Sequence, residues 1–197
     1  TLLSAVIWLP CNSATIAKQY RKVLDKYAEE TSSIPEFVDW QGHDFSMRGM
    51  GGIEAAVTSA AGHLLSFTGS DTIPAIDFFE DYYSANSDTE LIAGSVAATE
   101  HSVMCMGTTE GEYETFKRLI CEVYPKGIVS IVSDTWDLWK VLTDYLPRLK
   151  DEIVSREGKV VVRPDSGDPV DIICGNPNGK TEQEKKGVIE LLWDVFG

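Results

Sequence analysis

The stretch GIVSIVSDTWDLWKVLTDYLPRLKDEIVSREGKVVVRPDSGDP, residues 127–169, decides the fold. Two apolar, β-branched runs, 127–132 and 159–162, stand about 30 residues apart with a helix-length segment between them. Each run ends in a polar segment, SDTWD after the first and RPDSGD after the second. Buried strands alternating with helices are the pattern of βα units in a parallel sheet or barrel, so the fold class is α/β.

Outward from this stretch the pattern repeats. Further apolar runs occur at 4–9 (SAVIWL), 36–40, 64–67 and 94–98, and the last four runs of the chain begin roughly 30 residues apart. Residues 13–30 form an amphipathic segment, with Ile16, Tyr20, Val23, Leu24 and Tyr27 on one helical face behind Asn12 or Ser13 as caps. Residues 110–123 form a second, with Tyr113, Phe116, Leu119, Ile120 and Val123 on one stripe. The polar stretch 175–186 (GNPNGKTEQEKK) reads as an exposed loop. One domain is expected over residues 1–197, cut at both ends, since the chain starts at Thr1 and stops at Gly197 straight after an apolar helical run.

The strand ends carry the chemistry. QGHDFSMRG follows the run at 36–40, TGSDT that at 64–67, TEHS that at 94–98, then SDTWD and RPDSGD. Ligands of parallel α/β folds bind at the carboxyl ends of strands, so these five segments are expected to converge on one site. Helix capping is the competing account, and it covers Ser70, Asp71 and Ser133. It does not cover Arg48, His101 or Arg163. Together the ends offer Arg48, Arg163, Asp71, Glu100, Asp134, Asp165, His101 and Phe45. Guanidinium forks grip phosphate oxygens, and carboxylates hold Mg²⁺ or ribose hydroxyls, so the set suits a polyphosphate ester with metal. There is no Walker loop and no GxGxxG; Gly49, Gly51 and Gly52 suit a phosphate cradle or merely a tight turn.

Composition narrows the classes. Thirty-one acidic against seventeen basic residues give a formal charge of −14, which argues against binding nucleic acid or anionic membrane through the general field. A phosphate-rich substrate must then be met by locally concentrated arginines or by Mg²⁺. No apolar stretch approaches the roughly 18 residues needed to cross a bilayer, and nothing reads as a signal peptide, so a cytoplasmic protein is expected. Cys11, Cys105, Cys121 and Cys174 form no CxxC pair and are expected to be free thiols, mostly buried.

HDFSMRGMGGIEAAVTSAAGHLLSFTGSDT (43–72), SVAATEHS (95–102), SIVSDTWD (130–137) and VVRPDSGDP (161–169) together resemble, in order, the motifs of nicotinamide phosphoribosyltransferases. The resemblance runs from Ala5 to about Asp171. It implies part of an irregular α/β barrel of the type II phosphoribosyltransferase kind, acting as a homodimer with two sites at the subunit interface. It implies transfer of phosphoribose from phosphoribosyl pyrophosphate to nicotinamide, giving nicotinamide mononucleotide and pyrophosphate in NAD biosynthesis, with Mg²⁺ as cofactor and ATP as co-substrate.

By the same resemblance Phe45 would stack on the pyridine ring, and Asp71 would accept a hydrogen bond from the carboxamide NH₂. A carboxylate there repels nicotinate, so Asp71 would select amide over acid. Arg48 and Arg163 match arginines flanking ring, ribose and phosphates, and Ser130 a residue near the carboxamide. Asp134 and Asp165 match carboxylates near the ribose hydroxyls and metal; their bland reading is capping and turn formation. His101 matches a histidine that ATP phosphorylates, with Glu100 beside it and His43 near the site, whereas His63 falls inside a helix as a structural residue. No metal ligand is assigned outright. The family is well over twice this length, and its glycine-rich phosphate loops and further basic ligands lie outside the matched stretch. Three rivals stand beside this reading: a nicotinate phosphoribosyltransferase, a metal-dependent barrel hydrolase using His43, His101, Asp134 and Asp165, and an inactive binding or structural module.

Overall fold

A computed structural model describes residues 1–4 and 6–197. They form two compact units, Thr1–Ser95 and Val96–Gly197. Both hold parallel strands: a two-stranded sheet in the first unit and a three-stranded sheet, β3-β4-β5, in the second. The α/β class with parallel pairing is thus what the sequence pattern indicated.

The first unit is mainly helix on helix. α1 (Leu2–Thr31) packs along α2 (Ile53–Leu64). The backbones approach closely: a Cβ at Gly62 would lie 2.6 Å from the Pro10 carbonyl, and Ser13 Oγ donates to the Ser59 carbonyl at 2.6 Å. Arg21 fastens α1 to the loops beyond it, donating to Asp25 (2.6 Å), Asp39 (2.7 Å) and the Ser66 carbonyl (2.8 Å). β1 (His43–Asp44) pairs with β2 (Gly69–Ser70), and a bridge links Gly69 to Gly94. α3 (Ala75–Tyr83) closes the unit.

In the second unit β3 (Ala97–Ala98), β4 (Lys126–Val132) and β5 (Glu157–Arg163) run parallel. α4 (His101–Cys105) and α5 (Glu112–Arg118) connect β3 to β4, with a π-helical turn over Leu119–Val123. Between β4 and β5 lie α6 (Leu138–Lys140), a π-helical turn at Val141–Tyr145, α7 (Leu146–Arg148) and α8 (Lys150–Ser155). Phe116, Ile120, Val129, Ile131, Leu142 and Leu146 are buried to within 1% and form the centre of the core. α9 (Pro169–Cys174) and α10 (Glu182–Phe196) follow. Of residues 175–186, the first part is a loop; the rest is the first turn and a half of α10, started by a capping box between Thr181 and Glu184.

The local readings hold best in the second unit. The runs at 127–132 and 159–162 are β4 and β5, and 110–123 is helical. In the first unit the apolar runs are not the strands. SAVIWL at 4–9, of which Ala5 lies outside the described residues, falls within α1. It is apolar at nearly every position, so it has no period of its own, and no turn separates it from the amphipathic segment that follows. Asn12 and Ser13 are consequently interior to α1 and cap nothing. Residues 36–40 form a 3₁₀ turn led by Pro35, and 64–67 are the end of α2 and the turn after it. The strands are instead the two-residue polar pieces that follow. The four cysteines are free as expected, but Cys11, Cys105 and Cys174 are exposed because each sits on the outer side of a helix or at its end. Among the described residues no helix is long and apolar enough to cross a membrane.

Candidate functional site

The five polar strand ends fall into two groups, one in each unit. In the first, β1 and β2 end side by side through the pairing of Asp44 with Ser70. The buried Asp44 carboxylate organises both ends. Its Oδ1 accepts from the Ser46 backbone N–H (3.0 Å), and its Oδ2 accepts from Ser70 Oγ (3.0 Å) and Thr72 Oγ1 (2.9 Å). Burial raises this carboxyl, but the donors from Ser46, Thr72 and Ser70 outweigh it and leave it below the usual aspartate range.

On that frame His43 Nε2 lies 2.8 Å from Asp71 Oδ1, and Ser95 Oγ donates to the same oxygen at 2.5 Å. Both bonds go to Oδ1, and the side chain remains 40% exposed. The Phe45 ring packs on His43, centroids 4.6 Å apart and tilted by 41°, and is itself exposed. Arg48 is exposed in the 3₁₀ turn Ser46–Gly49 just beyond Phe45. A side chain at Gly49, Gly51 or Gly52 would meet nothing within 4 Å, so internal packing does not require glycine there. His63 is structural: half-buried in α2, 3.1 Å from the Gly69 carbonyl, and pushed below the usual histidine range chiefly by its partial burial.

In the second unit the ends of β3, β4 and β5 are laced together. Thr99 Oγ1 accepts from the Val132 N–H (3.0 Å), Ser133 N–H donates to the Arg163 carbonyl (3.0 Å), and Arg163 Nη2 donates to the Thr99 carbonyl (2.6 Å). Ser130 is buried on β4, where its carbonyl accepts from Thr99 N–H at 2.9 Å. Asp134 follows β4 with its side chain 8% exposed. Its Oδ2 accepts from the backbone N–H groups of Asp165 (2.9 Å) and Ser166 (2.7 Å), and its Oδ1 lies 3.2 Å from His101 Nε2. Burial raises the Asp134 carboxyl, yet these donors more than offset it and hold it below the usual range. His101 opens α4, directly after its N-cap Glu100, and is 44% exposed; Nδ1 stands 4.0 Å from Asp165 Oδ2, on a carboxylate that is 60% exposed.

The capping account fails for the residues it was meant to cover. Ser70 donates to Asp44, Ser133 donates to the Ile131 carbonyl, and α3 starts from Pro74 rather than Asp71. Asp137 and Asp168 are the real caps. Sequence reasoning missed Asp44, Ser95, Thr99 and Ser166, which hold the others in place. The only signal for them was that serine and threonine recur beside each acidic strand end.

Chemically, the first group offers a flat apolar surface next to a fixed carboxylate acceptor. The second offers a histidine whose Nε2 faces the Asp134 carboxylate, an acceptor that suits an Nε2–H donor, while Nδ1 stands near the exposed Asp165. Among the described residues no group of three or more His, Cys, Asp or Glu side chains could hold a metal ion. Mg²⁺ bound through one or two carboxylates plus substrate phosphates needs no such cage, and Asp165, exposed beside His101, has the oxygen chemistry for it.

A model of the nicotinate phosphoribosyltransferase (NAPRTase) family matches residues 40–197. The chain is 53% identical to a nicotinamide phosphoribosyltransferase of Acinetobacter baylyi, over all of its length and 40% of that protein. It is 41% identical to a protein of the same name from Mycoplasma pneumoniae, over 100% of this chain and 41% of the other. A third of that name, from Xanthomonas campestris pv. campestris, is 31% identical over 85% of this chain and 36% of its own. The chain thus spans about two fifths of the length of the curated relatives it matches.

Proposed function

The chain belongs to the nicotinate phosphoribosyltransferase family, and from that membership we propose that it supplies the ring-recognition and histidine centres of a nicotinamide phosphoribosyltransferase. The whole protein converts nicotinamide and phosphoribosyl pyrophosphate to nicotinamide mononucleotide and pyrophosphate in NAD biosynthesis. It does so as a cytoplasmic homodimer whose complete catalytic domain is an irregular α/β barrel.

The observation that carries the reading is the Phe45–His43–Asp71 arrangement. The pyridine ring lies on Phe45, and the carboxamide N–H₂ donates to Asp71 Oδ2 while His43 and Ser95 hold Oδ1. Nicotinate has no donor to give Asp71 and adds a like charge, so the amide is preferred. The ring nitrogen already has a lone pair, so transfer calls for positioning and for stabilising the leaving pyrophosphate. Arg48 and Arg163 serve the phosphates and ribose, and Ser130 stands near the carboxamide. Asp165 would hold Mg²⁺ together with the substrate phosphates, and the ion would offset charge developing on the leaving group.

His101 couples the reaction to ATP. With Nε2–H donated to Asp134, Nδ1 attacks the γ-phosphorus; the bond to ADP breaks, and the positive charge gained by the ring is balanced by the ionised Asp134. Hydrolysis of the phosphohistidine later restores the free ring. Glu100 lies beside it at the helix start.

The test is substrate choice. The protein carrying this chain is given nicotinamide or nicotinate with phosphoribosyl pyrophosphate and Mg²⁺, and mononucleotide is measured. Nicotinamide should be used far better, and Asp71→Asn should narrow the preference by tenfold or more, the value of one lost discriminating contact, ~1–3 kcal/mol. Equal use of both substrates, or unchanged discrimination in Asp71→Asn, removes Asp71 from this role. ³²P transfer from γ-labelled ATP that persists in His101→Ala refutes the phosphohistidine.

A further inference from the structure

The second unit holds an ionisable group that this chemistry does not use. Glu112 begins α5, is 1% exposed, and neither carboxylate oxygen has a partner at full hydrogen-bond geometry among the described residues, although the Tyr145 side chain lies close enough to act on it as a weak donor. An ionised carboxylate enclosed in this way is expensive, and the ordinary escape is to keep the proton. Aromatic side chains pack between α5 and the π-helical turn: Phe116 is buried on the same helix, and the Tyr145 ring meets Tyr113 edge-on at 5.6 Å and Phe116 at 6.1 Å.

We propose that Glu112 is carried in the folded chain as the neutral carboxylic acid, and that removing its proton loosens α5 from the π-helical turn Val141–Tyr145. The step is a simple ionisation, with the proton passing to solvent. The charged and titratable groups around it come from each element it faces. Tyr145 lies on the π-helical turn, Lys140 ends α6, and Asp137 caps α6. Burial lifts the carboxyl above the usual glutamate range; Tyr145 and Lys140 oppose the lift without cancelling it, and Asp137 adds to it. The start of α5 also favours the anion through its exposed N–H groups, an effect that complete burial outweighs.

The direction with pH follows. The folded chain retains a proton that the unfolded chain gives up, so stability is full below the ordinary glutamate range and falls as pH rises toward the folded value. Asp137 lies three residues after Asp134, so the elements that loosen are those leading away from the histidine centre. The inference does not depend on the proposed reaction.

The experiment compares wild type with Glu112→Gln, the isosteric neutral side chain, by equilibrium unfolding from about pH 5 to about pH 9. The ratio of their folding constants should fall tenfold per pH unit in the interval between the ordinary and the folded value. Amide protection over residues 112–118 and 141–145 should fall with it in wild type only. A ratio that stays flat, or protection that is equal in both, overturns the proposal. Should the variant not fold, ¹³C-carboxyl NMR of wild type decides. One glutamate still protonated above the ordinary range supports the proposal, and all glutamates ionised within that range overturn it.

Discussion

Each unit holds one histidine–aspartate pair at the end of a parallel strand, and the two are built differently. In the first unit Asp71 is 40% exposed and its partners, His43 and Ser95, share one oxygen. In the second, Asp134 is 8% exposed, and both oxygens are occupied, one by His101 and the other by two backbone N–H groups. A carboxylate with an oxygen to spare can recognise a donor on a ligand. One that is fully occupied can only hold its neighbours, so in the second pair the proposed function gives the acting role to the histidine. Under the proposed function, the same two residue types serve recognition in one unit and orientation in the other.

The largest effect should come from breaking the saturated pair. Asp134→Ala strands two backbone donors and unfixes His101, and should cost about 2–4 kcal/mol in equilibrium unfolding. A cost no greater than that of a surface substitution would erase the distinction between the pairs. Next is the scaffold beneath it. Gly127 and Gly158 face each other in register where β4 and β5 begin, both at positive φ, and a Cβ at Gly158 would strike the Gly127 backbone. Gly158→Ala should cost about 2–3 kcal/mol. Gly51→Ala in the first unit, where a side chain meets only open space, should stay within about 0.5 kcal/mol.

Acid titration sharpens the comparison further. Donors hold both Asp134 and Asp44 below the usual range. Their contribution is fully present above the ordinary aspartate range and is lost as pH falls through the depressed folded values. Asp134→Asn and Asp44→Asn should each flatten the acid limb of the stability profile, as read by thermal unfolding. Among the carboxylate substitutions the smallest effect on stability belongs to Asp71→Asn, under about 1 kcal/mol, because exposed pairs contribute little. Its consequence should appear in substrate choice alone.

The sequence was most legible where strands are long. β4 and β5 are seven residues each, apolar in the body and polar at the end, and their helices repeat with a clear stripe. In the first unit the strands are two residues long, too short to show any alternation, while the apolar runs nearby belong to helix and turn. His43, Phe45, Asp71, His101, Asp134, Arg163 and Asp165 stand at strand ends or just beyond, as their place in the motifs indicated. Which of them touch was not legible. Sequence adjacency tied His101 to Glu100, but the contact runs to Asp134, 33 residues on. Contacts made through backbone N–H groups leave no trace in side-chain identity.

The groups that fasten Asp134 Oδ2 are main-chain donors at residues 165 and 166. Whatever side chains occupy those positions, the anchor persists, with proline the one replacement that deletes it. Variation of the side chains at 165 and 166 can thus change the surface beside His101 while His101 keeps its orientation. In evolutionary terms, the fastening is insulated from the chemistry beside it.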